Sequence, residues 1–566
     1  MPINDYGVIF NGRRIVHPGA YDAIDTSKLP ITTLGSTNRP IYLGESDSGA
    51  PGVVKWFSSA PDARKYLRGG ELYDMLDLVF SPSPEGGGGA SLVGVLPTNA
   101  LLKSSAIAGG MTLNSIEYGT GGNRITARLE NGTITGSKLF TISRWDLGIT
   151  EIFDNLGAMM SIQYMGTDAY AAITVAVDAS SKKAISLVIK SGLDAGSATV
   201  DVTVDLTDSQ YATITQLAKY LSSIDGYKVV YSDNSLPSSS LDPVVAADIK
   251  TSPYNILAVS QDIPNQINKV SSLINIPVVA SGTSIVNFAN TTLTGGATGS
   301  SPSSWSTYFD SLSKETSDIL CVLSSSNTIH AEAESHVEYM STIGQRRIAF
   351  VGGALDETVD ETKLRASFLN SSRVVLAYPG IYIKDPTSEI TKLVPSYFTA
   401  AMLAGRASGV DPSEPLTFDY FNLIALEKDL MAGDPDIDDL ITSGVATLEK
   451  VYGGGIRLAQ SVTTDLKIGS PFRELSLRRG SDALSGKVTQ SLEATFVGRK
   501  GTPVNVTTVA LAAKSILTAA VANEEIAAFR NIVVTFAGSI IRVDYDVAYL
   551  DPINFILITS HFVTDI

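Results

Sequence analysis

The histidines are the first candidates for catalysis or metal binding, and the chain has four: His17, His330, His336 and His561. Only His330 and His336 are close in sequence, six positions apart. Two metal ligands on one helical face need a spacing of three or four, because only those positions lie above one another. The histidines therefore predict no metal site, and the sequence predicts no cofactor.

Two further segments contain some of the residues that bind phosphate or calcium. Gly480–Lys487 (GSDALSGK) has five residues between its glycines, whereas a phosphate-binding loop has four, and Val488 stands where Ser or Thr would bind magnesium. The acidic run Asp434–Asp439 lacks the glycine and the terminal glutamate of an EF-hand loop. We interpret both segments as surface turns.

The sequence also gives little support for a nucleophile. The single cysteine, Cys321, lies in the apolar run Ile319–Leu323, which predicts a buried core thiol. No Gly-x-Ser-x-Gly segment stands at a predicted strand-to-helix turn, where α/β-hydrolases place their serine. We therefore predict no catalytic residues and no enzymatic activity.

Composition and charge argue against several functional classes. With 42 basic and 58 acidic residues the net charge is −16, which predicts no binding to nucleic acid. The sequence has no apolar run long enough to cross a bilayer, so we expect no membrane insertion. Met1–Asp5 lacks the charged and apolar regions of a secretory signal, which favours a reducing cytoplasm or an assembly built there.

Changes in the residue pattern divide the first half of the chain into three regions. Residues 1–28 are predicted to form an N-terminal arm with a short hairpin, because Asn11-Gly12 is typical of a tight turn. Residues 29–98 alternate strand and helix patterns. Residues 99–245 are rich in Thr, Ser and Gly and have short alternating segments, which predict a β-sandwich-like insertion.

The second half of the chain is divided into two regions. Residues 246–409 again alternate strand and helix patterns, which predicts an α/β domain with a largely parallel sheet. Residues 410–566 form the final predicted domain. The fold class is therefore a mixture of α/β and α+β in several domains.

The final domain ends in two predicted strands. From Ile541 to Val547, apolar and charged residues alternate, as in a strand with one buried face. A second strand is predicted over Phe555–Val563. An open strand edge promotes aggregation unless something pairs with it, so this strand pairs either inside its own domain or with another copy.

Several segments resemble one protein family when they are taken in order. They are HPGAY (His17–Tyr21), Ile41–Phe80, RRIAFVGG (Arg346–Gly353), SRVVLAYPGIYI (Ser372–Ile383), Val394–Gly409, EPLTF (Glu414–Phe418) and Phe472–Leu484. Their order resembles the contractile tail sheath proteins of bacteriophages, which are related to the sheaths of contractile bacteriocins and injection systems. The chain departs from the family at Ala20, where Val is usual, and at His17, where Arg is common.

The resemblance implies a fold with three parts. Both ends of the chain would form a discontinuous core domain, with the β-rich region as an outward insertion. The α/β region would be subtilisin-like in topology only, without a catalytic triad.

The resemblance also implies a function. Copies would polymerise as stacked hexameric rings in a six-fold helical sheath around a tail tube. The sheath would contract by rigid-body rearrangement and drive the tube through the host envelope. The other partners would be the tail tube protein and the baseplate and tail terminator proteins. The sheath would belong to the virion tail and be assembled in the host cytoplasm.

The resemblance assigns a role to one group of residues, and the arginines of the final domain suggest a second site. Strands exchanged between neighbouring copies would include Val8, Ile9, Phe10, Ile15, Val16, Phe555, Ile556, Leu557, Ile558 and Phe562. Arg473, Arg478 and Arg479 form a predicted Arg-rich turn, which is either solvated or faces a partner such as the tube. Two other interpretations stay open: a cytoplasmic hydrolase with a subtilisin-like core, and an adhesive surface protein.

Overall fold

The structure is a computed structural model that describes residues 8–10, 13–15, 38–84, 88–231, 236–258, 262–279, 283–498, 503–537, 540–554 and 556–560. Near the N-terminus, β1 (Val8–Phe10) and β2 (Arg13–Ile15) form a two-stranded antiparallel ribbon. This pairing agrees with the predicted hairpin. The rest of the predicted arm lies outside the described residues.

The next segment supplies strands and helices to the centre of the molecule. Its elements are β3 (Pro40–Gly44), β4 (Lys55–Phe57), α1 (Ala60–Leu67), α2 (Glu71–Asp74), α3 (Leu76–Phe80) and β5 (Val93–Pro97). Helix α1 begins after Ser59, whose hydroxyl accepts a hydrogen bond from the Asp62 amide. It ends at Arg68, which has a left-handed backbone conformation.

The β-rich region follows. Its elements are β6 (Lys103–Ala108), β7 (Met111–Tyr118), β8 (Ile125–Asn131), β9 (Lys138–Arg144), β10 (Ile149–Leu156), β11 (Ala158–Tyr164), β12 (Tyr170–Val177), β13 (Ala184–Gly192), β14 (Thr199–Asp205), α4 (Ile214–Ser222), β15 (Tyr227–Tyr231), β16 (Val244–Asp248), β17 (Tyr254–Leu257), α5 (Ile263–Asn268), β18 (Ile274–Asn275) and β19 (Phe288–Thr292).

These strands form two separately packed bodies, and the sequence of the second is inserted within that of the first. In the first body, sheets β10-β9-β8-β19 and β18-β7-β6 enclose a core that includes Phe140 and Ile267. In the second, sheets β15-β11-β17 and β14-β13-β12-β16 enclose a separate core that includes Ile173 and Leu217. The second body is inserted between β10 and α5 of the first.

The predicted end of the insertion at residue 245 is wrong. Strands β17, β18 and β19 pair antiparallel with β11, β7 and β8, so the β-rich region continues to about residue 297. The short apolar runs that follow residue 245 have the same sequence pattern as the strands of an α/β domain. Only their pairing partners show that they belong to the insertion.

The α/β elements resume after the insertion. They are α6 (Ser306–Leu312), β20 (Ile319–Val322), α7 (Asn327–Thr342), β21 (Ile348–Gly352), α8 (Val359–Leu369), β22 (Val374–Tyr378), β23 (Ile381–Lys384), β24 (Thr391–Val394), α9 (Ser396–Gly409), β25 (Tyr420–Phe421), β26 (Ala425–Leu426), α10 (Pro435–Thr442), β27 (Val445–Lys450) and β28 (Ile456–Leu458).

One nine-stranded sheet joins the segments on either side of the insertion, in the order β25-β28-β27-β22-β21-β20-β3-β5-β4. The six central strands from β27 to β5 are parallel. The predicted division into separate domains at 29–98 and 246–409, and the start of the last domain at 410, is therefore wrong. Strand β3 pairs with β20, and β27 pairs with β22, so all three regions share this layer.

Helices cover both faces of the nine-stranded sheet, as a parallel sheet requires. Helices α1, α3 and α9 pack on one face, in a core that includes Leu67 and Phe350. Helices α6, α7, α8 and α10 pack on the other face, in a core that includes Val337 and Val351. We call this three-layer unit the α/β layer.

The C-terminal unit consists of α11 (Leu475–Phe496), α12 (Pro503–Ala522), β29 (Ala528–Ala537) and β30 (Ile540–Ala548). Its core includes Leu484, Leu517 and Ile526. Gly480–Lys487 lies inside α11, so the prediction of a surface turn there is wrong. Tertiary packing of Leu484 and Val488 outweighs the low helix propensity of the two glycines.

Candidate linking site

Strands β29 and β30 form a two-stranded antiparallel sheet at the C-terminal end of the molecule, with Val534 opposite Val543. Alternate residues of β30 are half-buried against α12 and the rest are exposed. Ile541 and Tyr545 are on the half-buried side, whereas Arg542 and Asp544 are exposed. The predicted alternation over Ile541–Val547 is confirmed.

Both edges of this sheet lack a strand neighbour among the residues that the structure describes. An edge strand presents a row of backbone N–H and C=O groups that can pair with an added strand. A two-stranded sheet is marginally stable unless it packs on another element, and among the described residues α12 is the element that packs most extensively on it. The sheet is therefore suited to accept strands from outside the chain.

The segment after β30 folds back onto the start of α11. The Tyr549 ring lies edge-on to the Phe472 ring at a centroid distance of 6.2 Å, and the Asn554 side chain faces the carboxyl group of Glu474. Burial is the main reason that the pKa of Glu474 rises to about 7. These contacts fix the first part of the C-terminal segment on the body of its own chain.

Beyond Asn554, the chain presents three consecutive apolar side chains to solvent. Ile556, Leu557 and Ile558 are 79%, 95% and 82% exposed. The predicted strand over Phe555–Val563 is not formed by the described residues of this segment, since 556–560 have no strand conformation in the single chain. A strand needs a pairing partner, and the described residues 556–560 are paired with neither open edge of the β29–β30 sheet.

The other predicted linking residues lie in the N-terminal ribbon or outside the residues that the structure describes. Val8, Ile9 and Phe10 are in β1 and Ile15 is in β2. Val16, Phe555 and Phe562 lie outside the described residues. Within the described part of the chain, the ribbon pairs only with itself.

The three arginines do not form an exposed turn, so that prediction is wrong. Arg473 donates to the carbonyl oxygens of Ile441 and Thr442 at 2.6 and 2.9 Å. Arg479 is buried in α11 and donates to the carbonyl oxygen of Ala407. The predicted patch therefore consists largely of groups that hold α11 to the α/β layer.

Arg478 belongs to a polar cluster that sequence analysis missed. Its guanidinium carbon lies 4.2 Å from the centroid of the Phe472 ring, and it pairs with Asp482 one turn along α11. Asp482 also pairs with Arg373, and Arg346 lies 3.7 Å away. The four groups come from three separate segments of the sequence, since only Arg478 and Asp482 share a helix, and no local motif predicts the cluster.

Both described histidines are used in internal hydrogen bonds. His330 is buried, with its Nε2 2.6 Å from the carbonyl oxygen of Ser324. The Nε2 of His336 lies 2.7 Å from Nη1 of Arg347. Among the described residues, no cluster of three His, Cys, Asp or Glu side chains is arranged to hold a metal ion, and no helix is long and apolar enough to cross a membrane.

Comparison with known proteins relates the whole chain to one group. Residues 298–464 match the family model of the phage tail sheath protein central domain. The tail sheath protein of Bacillus phage SP01 is 48% identical over 100% of this chain and 98% of its own length. A putative tail sheath protein of Enterococcus phage phiEF24C is 29% identical, with 87% of each chain covered.

A solved structure has a similar fold. The crystal structure of a sheath tail protein from Desulfitobacterium hafniense matches with a TM-score of 0.51 over 90% of each chain, at 11% sequence identity. At this identity the likeness concerns the fold alone. It shows that the mixed α/β multidomain arrangement occurs in another sheath protein.

Proposed function

This chain belongs to the tail sheath protein family of bacteriophages and is a structural subunit of a contractile tail, and we propose that copies are linked at the β29–β30 sheet. The observation that carries the proposal is a sheet with two edges that are open among the described residues, followed along the chain by the exposed apolar segment Ile556–Ile558. Among the described residues of one copy, the segment 556–560 is paired with neither edge. Between copies, one supplies the edge and the other supplies the strand.

The proposed link is β-augmentation, in which an extended segment adds a strand to an open edge. Main-chain hydrogen bonds hold the added strand, and the alternate side chains enter the half-buried face of the sheet. Segment 555–562 of one neighbour would pair with one edge. The ribbon of β1 and β2 from another neighbour would supply residues to the other edge, including Val8, Phe10 and Ile15.

In the proposed assembly, hexameric rings stack helically around a tail tube between a baseplate and a tail terminator. The linked strands act as flexible connections, while the α/β layer and the β-rich bodies move as rigid units during contraction. The net charge of −16 keeps unassembled copies apart and soluble in the host cytoplasm. The assembled sheath is then part of the virion tail.

The proposal assigns the energy of contraction to packing between copies. A metastable extended packing would change into one that buries more surface, so the step uses no bound nucleotide and no catalysis. The subtilisin-like topology that the family resemblance implied stays part of the proposal, and it concerns the order of the elements and not catalysis. We propose no enzymatic role for the α/β layer.

Truncation tests the linkage. Removal of residues 1–20, or of the residues after Asp551, should leave folded subunits that no longer polymerise, because each variant lacks one added strand. Negative-stain microscopy and sedimentation measure polymer, and circular dichroism checks folding. As a control, Val245→Ala changes an exposed apolar residue of the second β body and should polymerise normally. Normal tubes from either truncation would contradict the proposal.

A further inference from the structure

Two exposed aromatic side chains stand at surfaces of opposite charge. Trp145 is 67% exposed at the tip of the β9–β10 hairpin. Phe368 is 70% exposed on α8, beside the exposed Leu364 of the same helix and Tyr339 of α7. Aromatic side chains next to charged groups are typical anchors of protein interfaces. We call these the Trp145 tip and the Phe368 surface.

The Trp145 tip has an ordered cationic partner. The guanidinium carbon of Arg124 lies 5.8 Å from the centroid of the indole ring, which is a cation–π distance. Nη1 of Arg124 is also 3.1 Å from Oδ2 of Asp146. Because Asp146 holds the guanidinium, the aromatic ring and the positive charge form one preorganised contact.

A line of ion pairs fixes this tip to the α/β layer. Asp146 pairs with the buried Arg144, which pairs with Glu117, and Glu117 lies 3.3 Å from Arg68 at the end of α1. Together with Arg124, three guanidinium groups thus meet two carboxylates. At the tip itself, Arg124 and Arg144 share the single carboxylate of Asp146, so these three groups carry an excess of one positive charge in a chain whose net charge is strongly negative.

The Phe368 surface has the opposite charge. Phe368 borders two grooves of about 640 and 600 Å³. Asp310 and Glu332 line one groove. Three carboxylates and one cation line the other, so negative charges outnumber positive charges there as well; these groups are Asp356, Glu357, Glu361 and Arg365. An apolar ring between carboxylates is complementary to an indole that carries a guanidinium.

The two surfaces belong to opposite faces of the nine-stranded sheet. The tip is anchored to α1, whose Ala63 and Leu67 pack in the core on one face. Helices α7 and α8 place Val337 and Ala366 in the core on the other face. A contact between the two surfaces therefore joins two copies. A head-to-tail contact of unlike surfaces repeats into a ring or a helix.

We propose that the Trp145 tip of one copy packs against the Phe368 surface of a second copy. This contact is separate from the exchange of terminal strands, and it deepens the proposed function because it assumes that copies assemble. It assigns the excess positive charge of the tip a partner in the carboxylates around Phe368. It also gives the line of ion pairs a role, which is to hold the tip rigid for docking.

Single substitutions give the first test. In the full-length protein, Trp145→Ala and Phe368→Ala should each raise the concentration needed for polymer formation by ~tenfold, which is within the range of an interface anchor. Sedimentation measures polymer, and thermal unfolding verifies that each variant is folded. Val245→Ala is the control at an exposed apolar site of the second β body. Unchanged assembly of both aromatic variants would overturn the proposal.

A charge exchange tests whether the two surfaces meet. Arg124→Glu and Asp310→Arg should each weaken assembly, because each places like charges together across the contact. The double variant should recover most of the lost assembly, since the pair is then reversed. If the loss of assembly in the double variant equals the sum of the losses in the two single variants, the proposed contact is wrong.

A disulfide between copies tests the contact directly. The single native cysteine, Cys321, is buried, so Trp145→Cys combined with Phe368→Cys introduces the accessible thiols. Oxidation of assembled protein should yield covalent multimers, whereas Val245→Cys with Phe368→Cys should not. If terminal truncations abolish assembly while these tests fail, the contact is wrong and the strand linkage stands. If wild-type protein never polymerises, the proposed function itself is wrong.

Discussion

Arg373 and Asp482 form a two-point ion pair between the central sheet and α11. Nη1 of Arg373 is 2.7 Å from Oδ2 of Asp482, and Nη2 is 3.2 Å from Oδ1. Arg373 directly precedes β22, and both side chains are about one-tenth exposed. The pair therefore connects the α/β layer to the unit that carries the open β29–β30 sheet.

Asp482→Asn should strongly destabilise the chain. The substitution leaves Arg373, Arg346 and Arg478 close together without the carboxylate that they share. Removal of one partner from a buried ion pair typically costs about 3 kcal/mol. Denaturant unfolding measures the loss. Asp544→Asn, at an exposed pair with Arg542, should change the free energy of unfolding by less than about 0.5 kcal/mol, and equal effects at both sites would contradict the prediction.

Substitution of two helical glycines by alanine should change the free energy of unfolding in opposite directions. A Cβ at Gly405 in α9 would lie 2.8 Å from the Val79 backbone, so Gly405→Ala forces α3 and α9 apart. We expect a loss of about 1–3 kcal/mol. A Cβ at Gly486 in α11 meets nothing within 4 Å, so Gly486→Ala should stabilise the helix by up to about 1 kcal/mol. Denaturant unfolding of both variants checks the signs, and a shared sign would refute this account.

Local pattern predicts many elements of this fold but not their partners. The buried run Ile319–Leu323 and the alternation Ile541–Val547 are visible as strands because burial imposes their patterns. The pairing of Pro40 with Ile319 across the whole insertion has no local signal. For this reason the sequence predicts strands of an α/β region but not the single sheet that they form.

The candidate linking site is likewise only partly predictable from the sequence. The apolar run Ile556–Ile558 is evident in the sequence, whereas its exposure is visible only in the structure. The Asp482 cluster is not evident, because its arginines come from separate segments. Arginine composition alone therefore suggests an exposed patch where Arg479 is in fact buried.

Asn99 should hold together the two segments, near residues 99 and 298, at which the β-rich region leaves and rejoins the α/β layer. Its amide nitrogen donates to the carbonyl oxygens of Ser46 and Thr298 at 2.8 and 2.7 Å, and its Oδ1 accepts from the Ser46 amide at 3.1 Å. Asn99→Ala removes these bonds at a buried position and should cost about 2–4 kcal/mol.

Limited proteolysis tests the same position. Cleavage between residues 98 and 102 or near residue 298 should be faster in Asn99→Ala than in the wild type, because the two loop segments lose their shared contact. Asn265→Ala, which removes a bond to Asp262 inside the first β body, is the control. Unchanged cleavage at these two segments would show that they hold together without Asn99.

The stability of the chain should fall with acid in part because of His336. Burial, followed by the neighbouring Arg347 guanidinium, lowers the pKa of His336 from 6.5 to about 4. Between these values the unfolded chain binds a proton that the folded chain does not. This contribution is therefore complete above about pH 6.5 and is lost as the pH falls through about 4.

His336→Gln isolates this effect, because the glutamine Oε1 can still accept the Arg347 hydrogen bond but does not titrate. Between pH 4 and 6.5, the slope of unfolding free energy against pH should become shallower by up to about 1.4 kcal/mol per pH unit. Denaturant unfolding across this range measures the slope. His330, with its pKa lowered to about 3 mainly by burial, and the carboxylates retain their own contributions in both proteins. An identical slope in the variant would show that His336 is protonated in the folded chain.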